Sequence, residues 1–343
     1  MDGNAWLAFK LQGVLVSRAL RLVAKQRSYD PVRSYLEELS WDGIPRLHEW
    51  LFQYLGACTP EHPLGDALVR SIGVKWMLSA VARTFEPGCQ VDHVLVLEGT
   101  QGVRKSSALR VLAGTDHFID EVGKISDAKN TGEVLQGAWI AEIGERAALK
   151  SADLDAAKAW VTRREDRYRA AYERTALSRP RRCVFAATTN AIQYLDDETG
   201  NRRYWPIRVT RTSLDALARD RDQLWAEAVH RYRARELWWL LDEDPLAQAI
   251  AQEQDIRRTT DPWESVLARY CQTHREVTIS DLLAGPLDKP KGQWTDGDQK
   301  RIARILTAWR WQRRQRRSGG HREWYYHHPT GDTGDGTGDT STQ

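Results

Sequence analysis

Several things are scarce in this chain of 343 residues, and each scarcity removes a class of protein. There are four cysteines, Cys58, Cys89, Cys183 and Cys271, spaced too widely for a disulfide scaffold or a zinc knuckle. No apolar run approaches the roughly 18 residues of a membrane-spanning helix. The N-terminus carries Asp2, and Lys10 interrupts its first apolar stretch without a small-residue cleavage site, so no signal peptide is expected and the chain reads as cytoplasmic. Charge of one sign is also missing: 50 Lys plus Arg stand against 47 Asp plus Glu, a net +3. Net charge therefore says little about partners.

What is present is more informative. Of the 50 cations 39 are arginine, the side chain suited to bidentate phosphate contact and to stacking, and there are 15 tryptophans. With 41% hydrophobic and 28% charged residues the chain can bury a core, and its length predicts two or three domains.

The apolar spacing is helical from about 17 to 56, with Asp30 and Pro31 marking a helix start and the turn chemistry of residues 41–46 a connector. Between about 64 and 211 the period changes. Short β-rich runs at 94–97, 139–143, 184–187 and 204–209 alternate with helical stretches including 106–113 and 152–162, which predicts a mostly parallel α/β sheet. Ligands of such sheets bind beyond the carboxyl ends of the strands. A helical stretch follows at 214–251, then three helix-like pieces at 265–274, 280–283 and 296–309 and a short strand at 322–327. The expected organisation is an N-terminal helical segment 1–62, an α/β domain 63–258, a DNA-binding domain 259–328 and a disordered tail 329–343 of Thr, Gly, Asp, Ser and Gln.

The strongest local motif is a strand followed by Gly99, Thr100, Gln101, Gly102, Val103, Arg104, Lys105, Ser106 and Ser107. A phosphate loop needs glycine-permissive backbone so that its amides point inward, a lysine for the β- and γ-phosphates, and a hydroxyl for Mg²⁺. The following helix contributes its N-terminal dipole. Gly99, Lys105 and Ser106 have the required spacing, but Arg104 stands where the pattern asks for glycine. An ordinary strand-to-helix turn is the competing reading.

Later strand ends extend the pattern. The run Trp139-Ile140-Ala141-Glu142-Ile143-Gly144-Glu145 closes on two acids, as a Mg²⁺ ligand and a water-polarising base would require, and Asn190 ends a third apolar strand where its amide can orient water. Arg202 and Arg203 follow at a turn and are candidates for arginine fingers entering a neighbour's site. Surface carboxylates and a solvated turn are the plainer alternatives.

These stretches, with Tyr29-Asp30-Pro31-Val32-Arg33-Ser34-Tyr35-Leu36 and Thr199-Gly200-Asn201-Arg202-Arg203-Tyr204-Trp205-Pro206, resemble the virulence-associated E family of phage and mobile-element proteins, which look like superfamily 3 helicases of the AAA+ class. The compact spacing agrees, Lys105 preceding Glu142 by 37 residues and Asn190 by 85. The resemblance implies a P-loop AAA+ core with Lys105 and Ser106 as Walker A residues, Glu142 and Glu145 as Walker B acids, Asn190 as sensor and Arg202 or Arg203 as finger. It implies ATP and Mg²⁺ as cofactors and a ring, expected to be a hexamer. Relatives often carry an upstream primase domain, which is not expected in the stretch before residue 20.

Two basic regions are expected to touch DNA. Arg163, Arg164, Arg167, Tyr168, Arg169 and Arg174 lie where superfamily 3 proteins have a pore hairpin gripping single-stranded DNA, although a charged surface hairpin would look the same. Arg310, Arg313 and Arg314 belong to an arginine-rich run from 301 to 322, read as a basic helix of a winged-helix module for duplex DNA. The expected function is ATP-dependent DNA unwinding or remodelling in the replication of a phage, plasmid or integrated element. The alternative is a DNA-binding replication initiator or regulator whose phosphate loop is inactivated by Arg104.

Overall fold

A computed structural model describes residues 29–120, 122, 128–144, 159–168, 177–195, 201–259, 261–318 and 321–328, with isolated positions 15, 16, 19 and 23. Glu145, Arg169, Arg174, the tail 329–343 and most of the expected helix at 152–162 lie outside them. The chain divides into two compact units, Met1–Arg258 and Thr259–Gln343.

The first unit is built on five parallel strands, β1 (Val94–Glu98), β2 (Phe118–Ile119), β3 (Ile140–Ile143), β6 (Val184–Thr189) and β7 (Tyr204–Arg208), in the order β2-β3-β6-β1-β7. The runs expected at 94–97, 139–143, 184–187 and 204–209 are these strands, within two residues at each end. Every residue of β1 and β3 is buried, because a parallel sheet is covered on both faces. Alternate side chains separate accordingly: Leu95 and Leu97 enter one core, Val94 and Val96 the other.

The larger core holds helices α1 (Pro31–Glu38), α2 (Trp50–Leu55), α3 (Gly65–Phe85), α4 (Lys105–Ala113), α6 (Leu214–Arg233) and α7 (Pro245–Ile256). Helix α1 starts as its sequence dictates, with Asp30 accepting from the Arg33 amide at 3.1 Å and Pro31 opening the first turn. From Ile72 to Thr84 helix α3 is buried on nearly every side, and its sequence there is mostly apolar, with Lys75 and Arg83 as its charged residues. Trp76, Trp139 and Trp225 are fully buried here, their indole N–H groups donating to the carbonyls of Phe185, Ala80 and Leu112 at 2.9, 3.1 and 3.0 Å. These three rings fill the core with their polar atoms satisfied, whereas the Trp50 indole nitrogen in the same core is buried without a partner. The helical stretch expected across 214–251 is two helices, α6 and α7, since the chain leaves the helix at Ala234 and turns left-handed at Arg235 with φ 65°.

On the other face, α5 (Ala128–Val134) lies near a two-stranded antiparallel pair, β4 (Glu165–Tyr168) and β5 (Leu177–Pro180). The pair is tied to the unit by Arg181, which donates to both carboxylate oxygens of buried Asp166 and to the Trp160 carbonyl at 2.6 Å.

The second unit orders α8 (Pro262–Cys271), β8 (Glu276–Val277), α9 (Ile279–Ala284), α10 (Asp296–Ala308), β9 (Gln312–Ser318) and β10 (His321–His327), with a sheet in the order β8-β10-β9. All three helices begin with a capping box, from Asp261 and Glu264, Thr278 and Asp281, and Thr295 and Asp298. Leu267, Leu282, Leu283, Ile302, Ile305, Leu306, Trp311 and Tyr326 form its core. The basic run expected to be helical is corrected here. Helix α10 stops at Ala308, Arg310 turns left-handed with φ 62°, and Arg313, Arg314, Arg316 and Arg317 lie on strand β9. Trp311 explains the stop: it is core-buried, and in that place the chain reverses into a hairpin paired along its length with β10.

Candidate functional site

At the carboxyl end of β1 the chain makes a tight connection, residues 99–104, into the N-terminus of α4. Gly99 is required by close approach: a Cβ there would meet the Val209 carbonyl oxygen at 2.4 Å. Arg104 has φ 64° and ψ 36°, the left-handed conformation that glycine adopts freely, and its side chain is exposed. The substitution therefore leaves the turn in place and adds a cation at its rim.

Lys105, the first helical residue, is buried and folds back over the loop. Its Nζ donates to the Gly99 carbonyl at 2.7 Å, the Thr100 carbonyl at 3.1 Å and Asn190 Oδ1 at 2.9 Å. Asn190 arrives from the end of β6, which lies between β3 and β1. The Gly99 amide donates to the Thr189 carbonyl at 3.2 Å and fixes the loop to that strand. On β3, Glu142 Oε1 accepts from Ser106 at 2.8 Å and from Thr188 at 2.5 Å. Its other oxygen, Oε2, is buried without a hydrogen-bond partner. Burial raises the Glu142 pKa from its usual value, against the lowering effect of the two hydroxyl donors.

A cavity of about 320 Å³ opens over this cluster, lined by Gln101, Gly102, Arg104, Lys105, Ser106, Ser107 and the end of β6. Amides of the first turn of α4 face it with no acidic residue in that turn, which suits an anion. Ser106 and Glu142 supply two hard oxygen donors at the same place. A Mg²⁺ ion fits such a pair when phosphate and water complete its shell. Among the described residues no three His, Cys, Asp or Glu gather into a metal site of their own.

Sequence reasoning missed the clamp behind the loop. Glu98, buried and directly before Gly99, accepts from Arg257, whose Nη2 stands 2.9 Å from Oε2, and from Tyr194 at 2.6 Å. Arg257 Nη1 also donates to Glu253 Oε2 at 2.6 Å. An acid closing an apolar buried strand was the signal available for it.

Other expected residues lie elsewhere. Arg202 and Arg203 sit in the turn Asn201–Arg203 before β7, and since Tyr204 pairs with Val94 and Arg208 with Glu98, they stand at the amino end of the sheet. They are separated from the loop by a strand length of about 13 Å. Within one copy they do not meet Lys105. Arg163 and Arg164, just before β4, and Arg167, on it, are exposed, and Arg164 Nε donates to the Gly88 carbonyl at 2.7 Å. Tyr168, expected to stack on bases, is instead 3% exposed and packed on Gly132, because the two-residue period of β4 turns Asp166 and Tyr168 inward while Arg167 faces out. No described helix is long and apolar enough to cross a membrane.

No curated protein matches the chain. Among solved structures, the apo structure of NrS-1 C terminal region (305-718) is similar at 14% identity and a TM-score of 0.47, covering 85% of this chain and 77% of that one. The A form apo structure of the same region has 13% identity and a TM-score of 0.48 with the same coverage. The family model of the virulence-associated protein E-like domain matches residues 36–259, which include β1, the loop, Glu142, Asn190, Arg202 and Arg203, and the chain belongs to that family.

Proposed function

We propose that this protein is an ATP-dependent DNA-unwinding or DNA-remodelling motor of the superfamily 3, AAA+ type, acting in replication of a phage, plasmid or integrated element. The observation that carries the reading is the meeting of Lys105, Ser106, Glu142 and Asn190 from three adjacent parallel strand ends at the N-terminus of α4. In this reading residues 99–107 hold the triphosphate, with loop and first-turn amides on its oxygens and Lys105 exchanging its loop carbonyls for the β- and γ-phosphates. Ser106 and Glu142 hold Mg²⁺, which supplies charge neutralisation on the phosphate oxygens. Asn190 orients the attacking water, and Glu145 is assigned the proton it releases. Water adds to the γ-phosphorus as the bond to the β–γ bridging oxygen breaks, giving ADP and phosphate. The position of Arg202 and Arg203 at the far end of the sheet supports a finger supplied in trans, hence a ring of identical copies, proposed as a hexamer.

DNA would be moved by the β4–β5 pair, through exposed Arg163, Arg164 and Arg167 and through Arg169 and Arg174 beyond the described residues. The order helix, strand, helix, helix, strand, strand in residues 259–328 supports a winged-helix module, whose Arg310, Arg313 and Arg314 would add contacts.

DNA-stimulated ATP hydrolysis tests the reading. The native chain should hydrolyse ATP, and Glu142→Gln should lose that activity while still binding nucleotide. Hydrolysis at the native rate in Glu142→Gln would overturn it. Absence of hydrolysis in the native chain with its appearance in Arg104→Gly would favour a nucleotide-blind initiator.

A further inference from the structure

The second unit offers DNA two surfaces, helix α10 and the β9–β10 hairpin, and their chemistry differs. The first turn of α10 is acidic, with Asp296 and Asp298, and Asp298 is held at 2.5 Å by Lys289. Its arginines are engaged: Arg301 donates through Nε and Nη2 to both oxygens of Asp261, each at 2.6 Å, and Arg304 lies 3.7 Å from the same carboxylate. A helix that leads with two carboxylates and pairs its arginines with Asp261 is a poor partner for a phosphate backbone.

The hairpin is asymmetric between its faces. Arg313 stands opposite Tyr326, Gln315 opposite Trp324, and Arg317 opposite Arg322, and residues directly opposite share a face. Tyr326 is 3% exposed and closes the core, whereas Trp324, two residues nearer the turn on the same face, is 49% exposed. The face therefore continues past the core into solvent, carrying three arginines and no acid. The Arg313 guanidinium stacks on the Trp324 ring at 4.2 Å and holds it in place. On the reverse face Arg316 is neutralised by Glu323 and Glu276, both at 2.9 Å, and Arg314 stands opposite Tyr325 with no exposed large aromatic ring beside it among the described residues.

We infer that the second unit binds single-stranded DNA on this face of the hairpin, with Trp324 as the base-stacking platform and Arg313, Arg317 and Arg322 on the phosphates, while α10 makes no contact with DNA. Cations flanking an exposed aromatic ring are the elements of sequence-tolerant single-strand binding. The inference rests on the DNA-binding reading above and assigns where within residues 259–328 that contact lies.

Fluorescence anisotropy of the full chain on a labelled oligothymidine strand, and on a duplex of equal length, tests it. Trp324→Ala should weaken single-strand binding about tenfold, with Trp324→Phe near native. Replacing Arg317 and Arg322 together by Ala should reduce the slope of log affinity against log salt by about 1.4. Lys300→Ala, on exposed α10, should change neither probe. Native affinity in Trp324→Ala and in the double arginine variant would overturn the inference. So would losses confined to duplex and shared by Lys300→Ala, which would place α10 on DNA. A native chain that binds neither probe would refute the DNA-binding reading itself.

Discussion

Replacing Arg104 by glycine is expected to stabilise the protein. The residue occupies the N-cap of α4 with φ 64°, makes no side-chain capping hydrogen bond, and is exposed, so its native contribution is dominated by backbone conformation. A non-glycine residue in the left-handed region costs about 1–2 kcal/mol, and glycine returns about 0.4–1 kcal/mol of that through the greater freedom of the unfolded chain. The net gain is about 0.5–1 kcal/mol, a rise in Tm of about 1–4 °C for a unit of this size. Arg104→Ala, which keeps the conformation and removes only the side chain, should stay within about 0.5 kcal/mol of native. Thermal unfolding of the three proteins followed by circular dichroism measures the difference. A fall in Tm for Arg104→Gly, or an equal rise in both variants, would refute the assignment of the cost to backbone strain.

Three further outcomes follow from particular groups. His93 is buried, stacked on Trp205 at a centroid distance of 3.8 Å, and its burial, with Arg83 and Lys75 nearby, lowers its pKa from 6.5 to about 3. The unfolded chain therefore takes up a proton between those values that the native state refuses. Stability should fall as pH drops below 6.5, by about 1.4 kcal/mol per unit from this group alone, and His93→Phe should flatten that limb in denaturant titrations across pH. An unchanged limb would show that His93 is not the source. Arg257→Met leaves Glu98 buried without its cation and should cost about 3–5 kcal/mol by chemical denaturation; a loss below about 1 kcal/mol would mean the pair is not buried as described. Arg167→Ala should lower single-strand affinity and shallow the salt slope by about 0.7, and an unchanged slope would remove the β4–β5 pair from the DNA path.

The parts of this protein that were legible in its sequence are those governed by short-range rules. A run such as Val94-Leu95-Val96-Leu97 announces a strand covered on both faces, and Gly99 and Gly102, ahead of Lys105-Ser106, announce the turn that follows it. Asp30 with Pro31 gives a helix start that the hydrogen bond to Arg33 realises. The less legible features depend on partners far along the chain. Glu98 reads as an ordinary strand-end acid until Arg257 and Tyr194 arrive, from 159 and 96 residues away. Tyr168 reads as an exposed aromatic among arginines because nothing local states which side of β4 faces Gly132. The arginines of 312–318 carry little information on helix against strand; pairing with β10 decides it. Arg202 and Arg203 could be found as a pair, but their distance from Lys105 follows from strand register.

The central claim is that residues 99–107 form a nucleoside triphosphate site. Equilibrium binding of a fluorescent ATP analogue with Mg²⁺, compared between the native chain and Lys105→Ala, tests it most directly. Saturable binding by the native protein, weakened at least about tenfold in Lys105→Ala, is the predicted result, the loss of one charge-assisted phosphate contact being worth about 1.5–3 kcal/mol. Equal affinity in the two proteins would contradict it.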